Sequence, residues 1–103
     1  MPTLFQPRQD YPALLREMVA TRAGLPVPGA FSPLVGIQAR QAGFECLYLS
    51  GAALSAGLGM PDLGLFTLSE LSWQVERTVE AARLPLIVDA DTGFGETLNV
   101  ART

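Results

Sequence analysis

The chain has 103 residues, 49% of them hydrophobic, with ten acidic and seven basic residues and a net charge of −3. That is the length of one small globular domain, and the acidic balance without a basic cluster argues against a nucleic-acid surface. No apolar run approaches a membrane span. Every basic residue is Arg and His is absent, so any chemistry falls to carboxylates, hydroxyls and backbone amides.

The first eight residues, Met1 to Arg8, lack the basic-then-apolar layout of a signal peptide. Asp10 reads as the cap of a first helix over 10–22, with Pro12 in its opening turn and Leu14, Leu15, Met18 and Val19 on one face. The prolines of Leu25-Pro-Val-Pro-Gly-Ala30 permit only an imperfect or edge-like strand. Ser32 and Pro33 then read as N-cap and first residue of a second helix that stops at Gly43. Residues Glu45 to Ser50 predict a strand, followed by a Gly-rich loop from Gly51 to Gly64.

Thr67-Leu-Ser-Glu70 is a capping-box pattern, and the helix after it carries Leu68, Leu71, Val75, Val79 and Ala82 at helical spacing. It ends before Pro85. A third strand runs from Leu86 to Asp91, then a turn, then the opening of a further helix near Asn99. Strands alternating with amphipathic helices predict an α/β fold of about three βα units with a parallel sheet. A closed barrel takes eight such units and about 250 residues. Residues 1–103 are therefore expected to form a single partial domain, the N-terminal part of a larger protein. Open strand edges imply that the isolated chain associates. Cys46 is the only cysteine, so no internal disulfide forms, which fits a reducing cytoplasm.

Asp89-Ala-Asp91-Thr-Gly-Phe-Gly95 is the most informative stretch. Alternation along a strand puts Asp89 and Asp91 on one face and Leu86, Val88 and Ala90 on the other. Adjacent acids repel unless a positive charge lies between them, and Mg²⁺ or Mn²⁺ suits carboxylate oxygens. The alternative is that one Asp caps the turn and the other is solvated. On the second strand Cys46, Tyr48 and Ser50 share a face, so the polar tips of two strands meet at their carboxyl ends, where parallel α/β folds place their sites. Ser50-Gly-Ala-Ala53 offers a hydroxyl and close-set amides for a carboxylate or phosphate, or simply a tight turn of small residues. Asp62 reads as a supporting partner of a metal, a base or an exposed loop acid. Tyr48 reads as a hydrogen-bond or proton donor, or as a packed ring with its hydroxyl satisfied. Phe94 reads as packing under its turn and Cys46 as core filler.

These residues resemble the isocitrate lyase and phosphoenolpyruvate mutase superfamily. The matching stretches are Pro28-Gly-Ala30, Gln41-Ala-Gly-Phe44, Leu47-Tyr-Leu-Ser-Gly-Ala-Ala53, Gly59-Met-Pro-Asp-Leu-Gly64 and Leu86 to Gly95 with Asn99 to Thr103. Tyr-Leu-Ser-Gly and Pro-Asp-Leu-Gly look most like its methylisocitrate lyases. The resemblance implies a (β/α)₈ TIM-type barrel, tetrameric, that splits 2-methylisocitrate into pyruvate and succinate with Mg²⁺. It implies that Asp89 and Asp91 bind the metal with Asp62 in support. Ser50, Gly51 and Ala52 would hold the keto-acid end of a small di- or tricarboxylate, and Tyr48 would accept a proton. The superfamily's Lys-(Lys/Arg)-Cys-Gly-His loop, source of the proton donor to succinate, is not in this sequence and is expected downstream of Thr103; Cys46 does not match it. The other expectations are a phosphonomutase, an oxaloacetate hydrolase, or an inactive truncated remnant that serves as an interaction partner.

Overall fold

A short Asp side chain that accepts a backbone N–H can start a helix, and Asp10 does so: its Oδ1 accepts the amide of Ala13 at 3.0 Å. The computed structural model describes residues 9–103; the N-terminal stretch read above for a signal peptide lies outside them. Helix α1 spans Tyr11–Thr21 with Pro12 in its first turn. Met18 is its buried residue, whereas Val19, expected on the same face, is 61% exposed. Ser32 caps α2, Pro33–Gln41, through the Val35 amide, and Gly43 beyond it takes a left-handed φ of 96°.

The strands are shorter than the sequence predicts. Strand β1 is Leu47–Leu49 and β2 is Leu86–Val88; they pair in parallel, with Leu47 beside Leu86, Tyr48 beside Ile87 and Leu49 beside Val88. The proline-rich segment joins them as an isolated parallel bridge of Gly29 to Tyr48, held by Ala30 N–H to Tyr48 O at 2.8 Å and Tyr48 N–H to Pro28 O at 2.9 Å. Prolines at 26 and 28 remove two backbone donors, which accounts for a bridge where a strand would otherwise extend.

The residues after β1 are not all loop, as the sequence predicts. Gly51–Gly57 form α3, capped by Ser50, whose hydroxyl accepts the Ala53 amide at 3.4 Å. The alanines and Leu54 favour helix strongly enough to outweigh two terminal glycines. Helix α4, Leu68–Ala82, opens with the predicted capping box of Thr67 and Glu70. Helix α5 is Thr97–Arg102. No helix among the described residues is long and apolar enough to cross a membrane.

Leu47 and Leu49 point under the helices and are fully buried, each worth about 1.5–3 kcal/mol of transfer free energy. Leu47 packs with Ala30, Ala39 and Ala82, and Leu49 with Leu54, Phe66 and Leu71. Helices α2 and α4 meet at Gly36: a Cβ there would lie 3.0 Å from the Ala82 Cβ and 3.4 Å from Thr78 Cγ2. The buried face of α4 therefore runs through Thr78, where the sequence reading placed Val79. The opposite face of the sheet carries half-buried Tyr48 and exposed Ile87, the latter at 38%.

Candidate active site

The parallel register carries one step past the strands, since the Asp89 amide donates to Leu49 O at 3.0 Å. That step sets Asp89 beside Ser50 at the carboxyl ends of both strands. Asp89 Oδ1 then accepts the Asp91 amide at 3.0 Å, a side-chain-to-backbone turn that Asp is built to make. Asp91 is consequently not a strand residue. It lies in a tight turn at a left-handed φ of 44°, followed by Gly93 at 94°, Phe94 at 62° and Gly95 at 152°. For a residue such as Phe94 that backbone costs roughly 1–2 kcal/mol.

The two carboxylates nevertheless converge. A Cβ on Gly51 would lie 3.4 Å from Asp91 Oδ1, 3.5 Å from Asp89 Oδ2 and 3.6 Å from Phe66 Cζ. The turn, rather than strand alternation, brings them together. Ser50 adjoins this point, and its hydroxyl, occupied as an acceptor by the Ala53 amide, retains its proton to donate. The amides of Gly51 and Ala52 open α3 and need no partner within the helix. Tyr48 stands on the same sheet face as Ile87, two residues back along the strand from Ser50.

Asp62 is exposed and lines an open cavity of about 830 Å³ together with Phe66, Asp91, Thr92, Phe94 and Gly95. Asp62 does not join the other two acids: no group of three or more His, Cys, Asp or Glu side chains among the described residues is arranged to hold a metal. Two hard carboxylate donors, a neighbouring residue without a side chain and an open cavity fit a Mg²⁺-type cation, which binds through one or two carboxylates and keeps several waters. Phe66 is the component that sequence reading missed. It sits among ordinary apolar residues, and only its neighbour Thr67 carries a local signal. Cys46 lies away from this centre, its thiol 3.5 Å from Pro26 O; burial pushes its pKa above the ordinary 9.0 and the Arg22 guanidinium partly offsets the rise.

Helices covering one face of a parallel sheet, with acids, a hydroxyl and free amides gathered at the strand ends, define an α/β protein with its candidate centre at those ends. The phosphoenolpyruvate phosphomutase profile matches residues 15–103, and the chain belongs to that family. It is 49% identical over 104 residues to the 2-methylisocitrate lyase of Aeropyrum pernix, a match covering 100% of this chain and 34% of that protein. Among solved structures it is similar to 2,3-dimethylmalate lyase, described as a PEP mutase/isocitrate lyase superfamily member, with TM-score 0.82, 33% identity and coverage of 93% of this chain and 34% of that one. It is similar also to phosphonopyruvate hydrolase in complex with oxalate and Mg²⁺, with TM-score 0.78 and 34% identity over 89% of this chain and 32% of that one. The chain thus spans about a third of the length of these relatives.

Proposed function

We propose that this chain supplies the first βα units of a (β/α)₈ barrel that cleaves a carbon–carbon bond of 2-methylisocitrate, releasing pyruvate and succinate. The observation that carries this reading is the convergence of the Asp89 and Asp91 carboxylates on Gly51 at the ends of two parallel strands. The likeness to a 2-methylisocitrate lyase supports the choice of substrate.

In this reading Asp89 and Asp91 hold Mg²⁺, or Mn²⁺ in its place, and Asp62 supports the site from the adjoining loop. When bound, the cation supplies Lewis acidity and charge neutralisation toward a 2-oxo-acid oxygen. The Ser50 hydroxyl donates to the carboxylate of the keto-acid half, and the Gly51 and Ala52 amides bind its remaining oxygen. Their donors are fixed before the reaction starts, so the alkoxide charge on that half meets dipoles already aligned, before the electron pair of the breaking carbon–carbon bond passes to the succinate half. Tyr48 takes the proton from the substrate hydroxyl. The proton that completes succinate comes from outside these 103 residues, so this chain alone turns over no substrate. The working assembly is a tetramer in the cytoplasm.

The test is pyruvate release from 2-methylisocitrate by the native protein that carries this chain, with and without EDTA. Release that EDTA abolishes supports the reading; no EDTA-sensitive release removes it. A second reading, hydrolysis or rearrangement at a related 2-oxo acid, rests on the lesser likeness, at 34% identity, to phosphonopyruvate hydrolase. Turnover of phosphonopyruvate or oxaloacetate in place of 2-methylisocitrate selects it. Absence of every one of these activities, with the fold intact, marks an inactive remnant.

A further inference from the structure

Two of the aromatic rings that line the cavity are in contact with one another. Phe66 leads into the cap of α4, and Phe94 belongs to the turn after β2; their centroids are 5.6 Å apart with the rings tilted by 53°. Phe66 is 2% exposed and belongs to the core cluster of Leu49, Leu54 and Leu71, while Phe94 packs on that cluster from outside. The same Phe66 ring lies 3.6 Å from the Cβ position of Gly51, the point on which both carboxylates bear. Phe94 holds an unfavourable left-handed backbone only three residues from Asp91, itself left-handed. The Thr103 hydroxyl donates to Gly93 O at 2.9 Å and ties the turn to α5, while the ring of Phe94 seated on Phe66 ties it to the core.

We propose that Phe66 and Phe94 are positioning residues: their ring contact pins the 91–95 turn to the core and thereby holds the Asp91 carboxylate against that of Asp89. Neither ring needs to touch substrate. The inference rests on the reading of Asp89 and Asp91 as the cation-holding pair, and it adds the device that keeps the pair assembled. The hydrogen bond from the Asp91 amide to Asp89 Oδ1 reports the device directly.

The experiment follows hydrogen–deuterium exchange in peptides covering residues 89–95 and 46–50 of the native protein, together with Mn²⁺ titration, for Phe94→Ala, Phe94→Gly, Phe94→Tyr and Phe66→Leu. Loss of the Phe94 ring is expected to speed exchange in the turn by about tenfold while the β1 peptide keeps its protection. Mn²⁺ affinity is expected to fall by about the same factor, and Phe94→Tyr, which keeps the ring, retains both properties. Phe94→Gly separates ring from backbone, because glycine takes the left-handed conformation freely. If Phe94→Gly protects the turn as well as Phe does, backbone conformation alone sets the site and the proposal fails. Unchanged exchange in Phe94→Ala also overturns it. If Phe94→Ala does not fold, the milder Phe66→Leu decides on the same readout. A native protein that binds no Mn²⁺ refutes the cation reading, and the exchange data still decide the role of the rings.

Discussion

The amide of Asp91 lies 3.0 Å from Oδ1 of Asp89, so one carboxylate of the pair holds the backbone that presents the other. Charge and geometry can therefore be removed separately. Asn at position 89 keeps the acceptor oxygen and loses the charge, whereas Ala loses both. Asp89→Asn is expected to leave stability within about 0.5 kcal/mol and to abolish Mn²⁺ binding. Asp89→Ala should cost about 1 kcal/mol more, for the lost acceptor. Thermal melting and calorimetric titration of the two variants check this; equal stability would deny the turn its hydrogen bond.

Gly51 offers the opposite dissection. A methyl group there meets its neighbours at 3.4–3.6 Å, ordinary contact distance, and Ala is the better helix former. Gly51→Ala should fold with a melting temperature no lower than that of the parent. It should nevertheless bind Mn²⁺ and substrate at least about tenfold more weakly, a loss of 1.4 kcal/mol, because the methyl occupies the point on which the two carboxylates bear. Undiminished binding would place the ligand elsewhere.

Gly36 is a pure packing position. Its Cβ would lie 3.0 Å from that of Ala82, so Gly36→Ala pushes α2 off α4 at a cost of about 1–3 kcal/mol. Chemical denaturation should show a lower midpoint with unchanged cation affinity in the fraction that remains folded.

Burial raises the Cys46 pKa above 9.0, with the Arg22 guanidinium opposing the rise. The fold thus favours the neutral thiol. This contribution is fully present below the unfolded-state pKa, near 9, and is lost as the pH climbs from there through the higher folded value. Thermal midpoints should fall more steeply above pH 9 for the parent than for Cys46→Ala, which removes the titrating group. Parallel pH profiles would contradict the burial argument.

The parts of this fold that sequence made legible are those set by contacts three or four residues apart. Asp10, Ser32 and Thr67 accept the amides that their positions predict. The parallel strands and the side of Leu47 and Leu49 that meets the helices were also readable from alternation. Strand length was not, because pairing depends on a partner far along the chain, and β2 ends where the Asp89 side chain captures the next amide but one. The convergence of the acids was expected for a reason that does not hold, since Asp91 lies in a left-handed turn outside the strand. Helix α3 was hidden by its terminal glycines. Phe66 could not be singled out, because its importance lies in a contact with Phe94, 28 positions on.

Gly93 and Gly95 each combine a positive φ with a neighbour that leaves no room, a Cβ falling 2.8 Å from Val100 and 2.7 Å from Asn99 respectively. A shorter side chain at 100 or 99 would restore the space and leave the backbone requirement untouched. A genetic screen for second-site suppressors of Gly93→Ala should therefore not return a shortened residue at 100 as a sufficient single change. Selection can act on this corner of the molecule by keeping it, with almost no path for trading one residue against another.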